Sequence, residues 1–155
     1  MKKLLILAAV IVAGVAANAA AFNWQAGNIY GADGTTKFSG TATLYAIIGG
    51  VDTAVNTATV TSGAVSKANT NFSNDSLVGN TTYDFYFVIE DSGKTFKSDV
   101  KADVLAQATA TVTVNFGNMA SQTQAAGNWA AVPEPTSGLL MLLGMAGLAL
   151  KRKRA

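Results

Sequence analysis

Residues 81–90 read TTYDFYFVIE, and this stretch decides the fold class. Side chains alternate between the two faces of a β-strand. One face of this segment therefore carries four large apolar side chains: Tyr83, Phe85, Phe87 and Ile89. Its opposite face is also partly apolar, which predicts a central strand. The turn sequence Asp91-Ser92-Gly93 follows, and residues 94–100 are predicted to return as the second strand of a hairpin.

Strands are also predicted on both sides of this hairpin. In residues 109–116, Thr and Asn alternate with Ala, Val and Phe, which is typical of a half-buried strand. Residues 40–48 alternate in the same way and end at Gly49-Gly50, a turn signal. Residues 23–30 and 53–61 are predicted to be weaker strands. Residues 101–107 fit either a helical turn or a bulged strand. Residues 62–80 are predicted to be mostly loop.

Many short strands without a long amphipathic helix predict an all-β fold, specifically a single β-sandwich. Residues 77–88, LVGNTTYDFYFV, resemble the corner between strands E and F of fibronectin type III-like domains, which are immunoglobulin-like sandwiches. Leu77, Thr81 and Tyr83 have the spacing of that corner. The resemblance implies a tyrosine corner, in which Tyr83 buries its ring and bonds its hydroxyl to nearby backbone. The strand at 109–116 departs from the family, whose domains end soon after the strand that follows F.

The N-terminus has the layout of a signal peptide. Lys2-Lys3 precedes residues 4–17, which are apolar apart from one glycine, and small residues follow. Signal peptidase selects small side chains just before the cut, so two alternatives fit: Ala17 with Ala19, cut before Ala20, or Ala19 with Ala21, cut before Phe22. The alternative to removal is a retained anchor, for which this run is short because a membrane span needs about 20 residues.

The C-terminal segment Ser137–Leu150 carries no charge and is rich in Leu, Met, Ala and Gly. As a helix it would be about 21 Å long, against about 30 Å for a bilayer core. Four consecutive cations follow and predict a stop on the cytoplasmic side: Lys151, Arg152, Lys153 and Arg154. This topology leaves the body of the chain outside the inner membrane. The alternative interpretation is a buried core helix with a basic terminus.

Val132, Pro133, Glu134 and Pro135 stand just before this apolar segment. The order of these residues, an apolar stretch and a terminal basic cluster resembles the PEP-CTERM sorting signal of bacteria. The resemblance implies recognition by an exosortase, a membrane-embedded cysteine transpeptidase or protease, with processing near the Pro-Glu-Pro sequence and loss of the basic tail. It also implies a transient stay in the inner membrane and delivery to the cell envelope, the surface or an exopolysaccharide matrix.

The chain therefore divides into three predicted parts. A signal peptide with its helix covers residues 1–21, a β-sandwich domain covers 22–131, and the sorting signal with a hydrophobic helix covers 132–155. Six of the eleven cations lie in the two end segments, and residues 20–135 hold five lysines and nine acidic residues, a net charge of −4. Such an acidic product gives nucleic-acid binding no electrostatic basis.

The whole chain lacks cysteine and histidine. Their absence excludes disulfides, thiolate chemistry, a Ser-His-Asp triad and the usual zinc ligand. The scattered acidic residues leave a glycosidase-type pair of carboxylates open, although each acid also fits a turn or a solvated face. No Asp-rich calcium loop is present in the sequence. We therefore expect no enzyme activity, no metal and no cofactor.

Three functions remain open for the domain. The leading one is a non-catalytic structural protein of the envelope or of an exopolysaccharide matrix. The second is an adhesin or carbohydrate-binding module that binds through the loop at 62–80 or stacks sugars on aromatic side chains, with five candidates: Trp24, Tyr30, Tyr45, Tyr86 and Trp129. The most remote is a small histidine-free hydrolase. Packing is the favoured role for the two tryptophans, because one lies near each end of the body.

Overall fold

The computed structural model describes residues 19–132 of the 155-residue chain. Nine strands make up most of this part: β1 (Ala19–Gly27), β2 (Gly40–Ile48), β3 (Val51–Val60), β4 (Phe72–Val78), β5 (Thr82–Asp91), β6 (Lys94–Lys97), β7 (Lys101–Leu105), β8 (Val112–Asn118) and β9 (Trp129–Ala131). Helical structure among these residues is limited to α1 (Ala120–Thr123) and 3₁₀ turns at Lys67–Asn69 and Ala126–Asn128. The predicted all-β class is therefore confirmed for residues 19–132.

The strands form two sheets. The smaller sheet has the order β4-β1-β8, and the larger has the order β3-β2-β5-β6-β9, with β7 also paired to β5. β1 runs parallel to β8 and antiparallel to β4. The strand that the sequence leaves over after the hairpin thus crosses to the smaller sheet and pairs beside β1. The immunoglobulin-like assignment of this sandwich stays a prediction.

The core lies where aromatic side chains from the two sheets meet. The ring centroids of Phe22 on β1 and Phe85 on β5 are 5.3 Å apart, and those of Trp24 and Phe87 are 5.7 Å apart. All four side chains are fully buried, at 0% exposure. Burying each such side chain contributes about 1.5–3 kcal/mol. Because the chain has no cysteine, this packing is the main source of stability.

The central hairpin is present, with Asp91 opposite Lys94 across its turn. The returning strand predicted over 94–100 is interrupted, since β6 ends at Lys97 and β7 begins at Lys101. At the interruption the Ser98 hydroxyl accepts the Phe87 N–H at 3.0 Å. The segment 101–107, which the sequence left ambiguous, is therefore a strand through Leu105.

The predicted loop over 62–80 is wrong for its second half, which forms β4. β4 carries Ser, Asn and Asp, residues that are poor strand formers by themselves. It is a strand because it pairs with β1, where Phe22 lies opposite Phe72, and because Leu77 is fully buried. Tertiary pairing therefore overrides the local preference.

Both predicted helices of the targeting segments lie outside the described residues. They fall in residues 1–18, for the signal helix, and in 137–150, for the hydrophobic helix. Among residues 19–132, no helix has the length and apolar composition needed to cross a membrane.

Candidate functional site

The domain ends in an edge strand that stops just before the sorting sequence. β9 pairs with β6, with Trp129 opposite Phe96 and Ala131 opposite Lys94. The Trp129 indole N–H donates to the Thr123 carbonyl at 2.8 Å, and its ring centroid lies 5.5 Å from that of Phe96. Buried packing and one hydrogen bond therefore hold this short strand in place.

The last described residue continues the same edge. The Val132 N–H donates to the carbonyl of Gly93, in the β5–β6 turn, at 3.1 Å. Pro133 and Pro135 follow in the sequence, and proline has no N–H to donate to a strand ladder. The sequence therefore stops β9 at the turn. The other predicted sorting residues, Pro133 to Pro135, Ser137–Leu150 and the basic residues 151–154, lie outside the described residues.

The predicted signal-cleavage residues straddle the start of the described part. Ala17 lies outside it, whereas Ala19 and Ala21 lie in β1, opposite Val78 and Ser73 of β4. Ala20 is fully buried. The two candidate cuts therefore differ in how much of β1 they remove.

Tyr83 makes the contacts that a tyrosine corner requires. Its ring is buried, its hydroxyl accepts the Val78 N–H at 2.8 Å, and the same hydroxyl donates to the Ser76 carbonyl at 3.4 Å. Leu77, which lies between Ser76 and Val78, is fully buried, and Thr81 is exposed. The structural role of this corner stays a prediction, and these contacts define how to test it.

The five aromatic candidates for sugar stacking are not brought together. Trp24 and Trp129 are buried in the packing, as favoured from the sequence. The Lys37 ammonium covers Tyr30, 4.1 Å from the ring centroid. Only Tyr45 and Tyr86 meet among these five, as register partners on β2 and β5 with parallel rings 5.1 Å apart.

This tyrosine pair lies on the outer face of the larger sheet and is partly covered by charged side chains. The Lys97 ammonium lies 3.7 Å from the Tyr86 ring centroid and 3.9 Å from the Asp52 carboxylate. Burial, and then the nearby Asp52 carboxylate, raises the pKa of Tyr86 to about 12. Tyr86 is therefore neutral and enclosed at physiological pH, and Tyr45 is the more accessible ring.

An open groove runs beside Tyr45 on the same face. Its volume is about 380 Å³, and its walls include Thr41, Thr43, Val88 and Glu90. The wall thus combines one half-buried aromatic ring, two hydroxyl groups and one carboxylate. Ligand sites in proteins commonly combine aromatic side chains with a small number of polar groups, as this groove does.

Two acidic residues, Asp33 in the loop before β2 and Asp91 at the end of β5, have structural roles. Asp33 Oδ1 accepts the backbone N–H groups of Thr35 and Thr36, both at 2.9 Å. Hydrogen bonds from the hydroxyl and then the N–H of Thr36 hold the pKa of Asp33 well below its usual range. Asp91 Oδ2 accepts the Ala32 N–H at 2.8 Å and so ties this loop to the β5–β6 turn. Within residues 19–132, no group of three or more acidic residues is placed to hold a metal ion.

Three buried hydroxyl groups have roles that the sequence does not indicate. Thr70 accepts the Trp24 N–H at 2.9 Å and donates to the Trp24 carbonyl at 2.7 Å. Thr123 accepts the Tyr30 N–H at 3.0 Å, and Ser98 acts likewise in the larger sheet. In each case the hydroxyl oxygen accepts a backbone N–H and so satisfies it. They are structural residues, and a period-two pattern gives no signal for them.

An all-β domain followed directly by Pro-Glu-Pro, an apolar stretch and a basic cluster is the layout of an exported protein with a C-terminal sorting signal. The family model described as the PEP-CTERM protein-sorting motif matches residues 131–154. The chain therefore carries this motif, as predicted, and the motif implies an exosortase-processed protein that passes through a membrane. Neither the comparison with curated proteins nor that with solved structures finds a match.

Proposed function

We propose that this protein is a non-catalytic structural protein of the bacterial cell envelope or of an exopolysaccharide matrix, delivered there by exosortase processing. The observation that carries the proposal is the sorting motif, which begins at Ala131, the last residue of the last strand. In this scheme the chain is the substrate of the processing enzymes, signal peptidase and exosortase. Glu134 is then a recognition residue, and the domain is the delivered product.

The composition and packing of the domain support a structural role. The chain has no histidine or cysteine, and the polar side chains described above are engaged in loops, strand interruptions and a surface ion pair. The delivered part carries a net charge of −4, counted over residues 20–135. Moderate net charge favours solubility in a hydrated matrix.

Intact mass measurement tests the sorting part of this proposal. The mature protein would be isolated from cells with and without the exosortase. With the enzyme, we expect a mass that lacks the basic tail and part of residues 133–150. Without it, we expect the tail to remain. A tail that persists in normal cells would refute the proposal and leave a plain membrane anchor.

A second candidate is binding of a neutral sugar polymer in the groove beside Tyr45, because that groove joins an aromatic ring to Thr41, Thr43 and Glu90. Stacking of a sugar on one accessible tyrosine ring gives modest affinity. We therefore expect binding to the repeated sugars of a matrix polymer rather than tight binding to a single sugar. A glycan array on the mature domain tests it. Tyr45→Ala should abolish any signal while Tyr30→Ala leaves it unchanged; absence of binding to every matrix polysaccharide would eliminate this candidate.

A further inference from the structure

The end of the sandwich from which the chain leaves the domain is fixed by strand register. β9 runs antiparallel to β6 and finishes opposite Lys94, beside the β5–β6 turn at 91–94. The loop at 31–37 lies at the same end, because Asp91 accepts the Ala32 N–H. We call this end, formed by residues 31–37 and 91–94, the exit end.

The opposite end is fixed by the same sheet. Ala42 lies opposite Ile89, and Ile47 lies opposite Asp84, so β2 runs away from the exit end. The turn after β2 therefore lies at the far end, with Val51 exposed there at 63%. The seven residue steps from Asp84 to Asp91 correspond to about 23 Å along an antiparallel strand.

Only four residues separate the exit end from the apolar segment Ser137–Leu150. Val132 is held to the turn carbonyl of Gly93, and only residues 133–136 stand before Ser137. Five Cα steps span at most about 18 Å even when fully extended. A domain tethered this closely to a membrane-inserted segment cannot present an arbitrary side to the bilayer.

We propose that the exit end faces the lipid headgroups while the chain is held in the inner membrane, so that the sorting sequence is presented at the membrane surface from a defined orientation. This inference rests on the proposed sorting function. The charge of the exit end is compatible with it: Lys37 and Lys94 balance Asp33 and Asp91, so an anionic leaflet neither attracts nor repels this end strongly. The short tether sets the orientation, and electrostatic attraction is not required.

Energy transfer to the membrane tests the orientation. Because the chain has no cysteine, single substitutions give unique labels. The full chain from Ala20 to Ala155 would carry Lys94→Cys at the exit end or Val51→Cys at the far end, both exposed positions. Each variant would be labelled with a donor dye and inserted into phosphatidylcholine–phosphatidylglycerol vesicles with acceptor dyes on the headgroups.

We expect several-fold more transfer from position 94 than from position 51. A spacer of 12 Gly and Ser residues between Val132 and Pro133, with a root-mean-square length of about 19 Å, should remove most of that difference. Equal transfer from both positions without the spacer, or a difference that the spacer leaves unchanged, overturns the orientation.

Vesicle flotation separates this failure from failure of the sorting proposal. A variant lacking residues 137–154 serves as the control that should not float. If the complete chain also stays out of the vesicle fraction, both the membrane segment and the orientation are refuted. If it floats but its two labelled positions give equal transfer, only the orientation is refuted.

Discussion

The position of the signal-peptidase cut has consequences that β1 makes measurable. A cut before Ala20 keeps eight of the nine residues of β1, whereas a cut before Phe22 also removes Ala20 and Ala21. Ala20 is fully buried, and Ala21 pairs with Ser73 on β4. We therefore predict that the mature chain begins at Ala20.

The magnitude follows from what the shorter chain loses. Burial of the Ala20 methyl contributes about 0.8 kcal/mol, and loss of the paired backbone at Ala21 costs about 1–2 kcal/mol. Together the loss is about 2–3 kcal/mol. Domains of this size are stable by about 5–15 kcal/mol, so the loss is a large part of the total.

Urea denaturation of two domains, residues 20–132 and 22–132, measures this difference. Each would be released from a fusion partner without extra residues. With a slope of about 1–2 kcal/mol per molar urea, the shorter domain should unfold at a urea concentration about 1–3 M lower. The mass of the protein isolated from the envelope identifies the natural N-terminus. Equal midpoints, or a natural chain that begins at Phe22, would contradict this prediction.

Three further predictions concern single side chains. Tyr83→Phe should lower the free energy of unfolding by about 1–2 kcal/mol in denaturant titrations, because it leaves the Val78 N–H without its acceptor. Tyr45→Phe is the control and should change this free energy by less than about 0.5 kcal/mol, because the Tyr45 hydroxyl makes no hydrogen bond within residues 19–132. Thr70→Val keeps the side-chain shape and should lower the free energy of unfolding by about 2 kcal/mol. Thr59→Val, at an exposed position, is the control and should leave it nearly unchanged, and equal effects of the two variants would contradict the role of the buried hydroxyl. The neutral form of Tyr86 is favoured in the fold, with a pKa of about 12 against about 10 unfolded, so its contribution is complete below pH 10 and is lost between pH 10 and 12. Alkaline titration should therefore destabilise the parent more than Tyr86→Phe, and parallel curves would count against this assignment.

The elements that could be predicted from sequence are those whose own residues determine them. β5 has a large apolar residue at every second position from Tyr83 to Ile89, β2 has an apolar residue at every second position from Ala42 to Ile48, and the Asp91-Ser92-Gly93 turn adds a local signal. β4 has no such pattern, since it is a strand through its pairing with β1. The parallel placement of β8 beside β1 depends on long-range packing, which period-two alternation does not encode.

The same distinction applies to the functional residues. The sorting signal could be predicted because its parts are contiguous and lie in a set order at one end of the chain. The groove beside Tyr45 could not be predicted, because its walls come from β2, from β5 and from Phe38 in the loop before β2, and these meet only after folding. The sequence also suggested a role for Tyr86 equal to that of Tyr45, whereas Lys97 encloses one of the two rings.

The two ends at which we propose processing tolerate a displaced cut very differently. β1 is the central strand of the smaller sheet, bordered by β4 and β8, and supplies Phe22 and Trp24 to the core. β9 is a three-residue edge strand, and residues beyond Val132 are not needed for its pairing with β6. An N-terminal cut that is displaced by two residues therefore removes core structure, whereas a C-terminal cut anywhere after Pro133 leaves the paired edge intact. For the proposed signal-peptidase site, folding would thus set a tight constraint, whereas the exosortase site would be set by the sorting sequence.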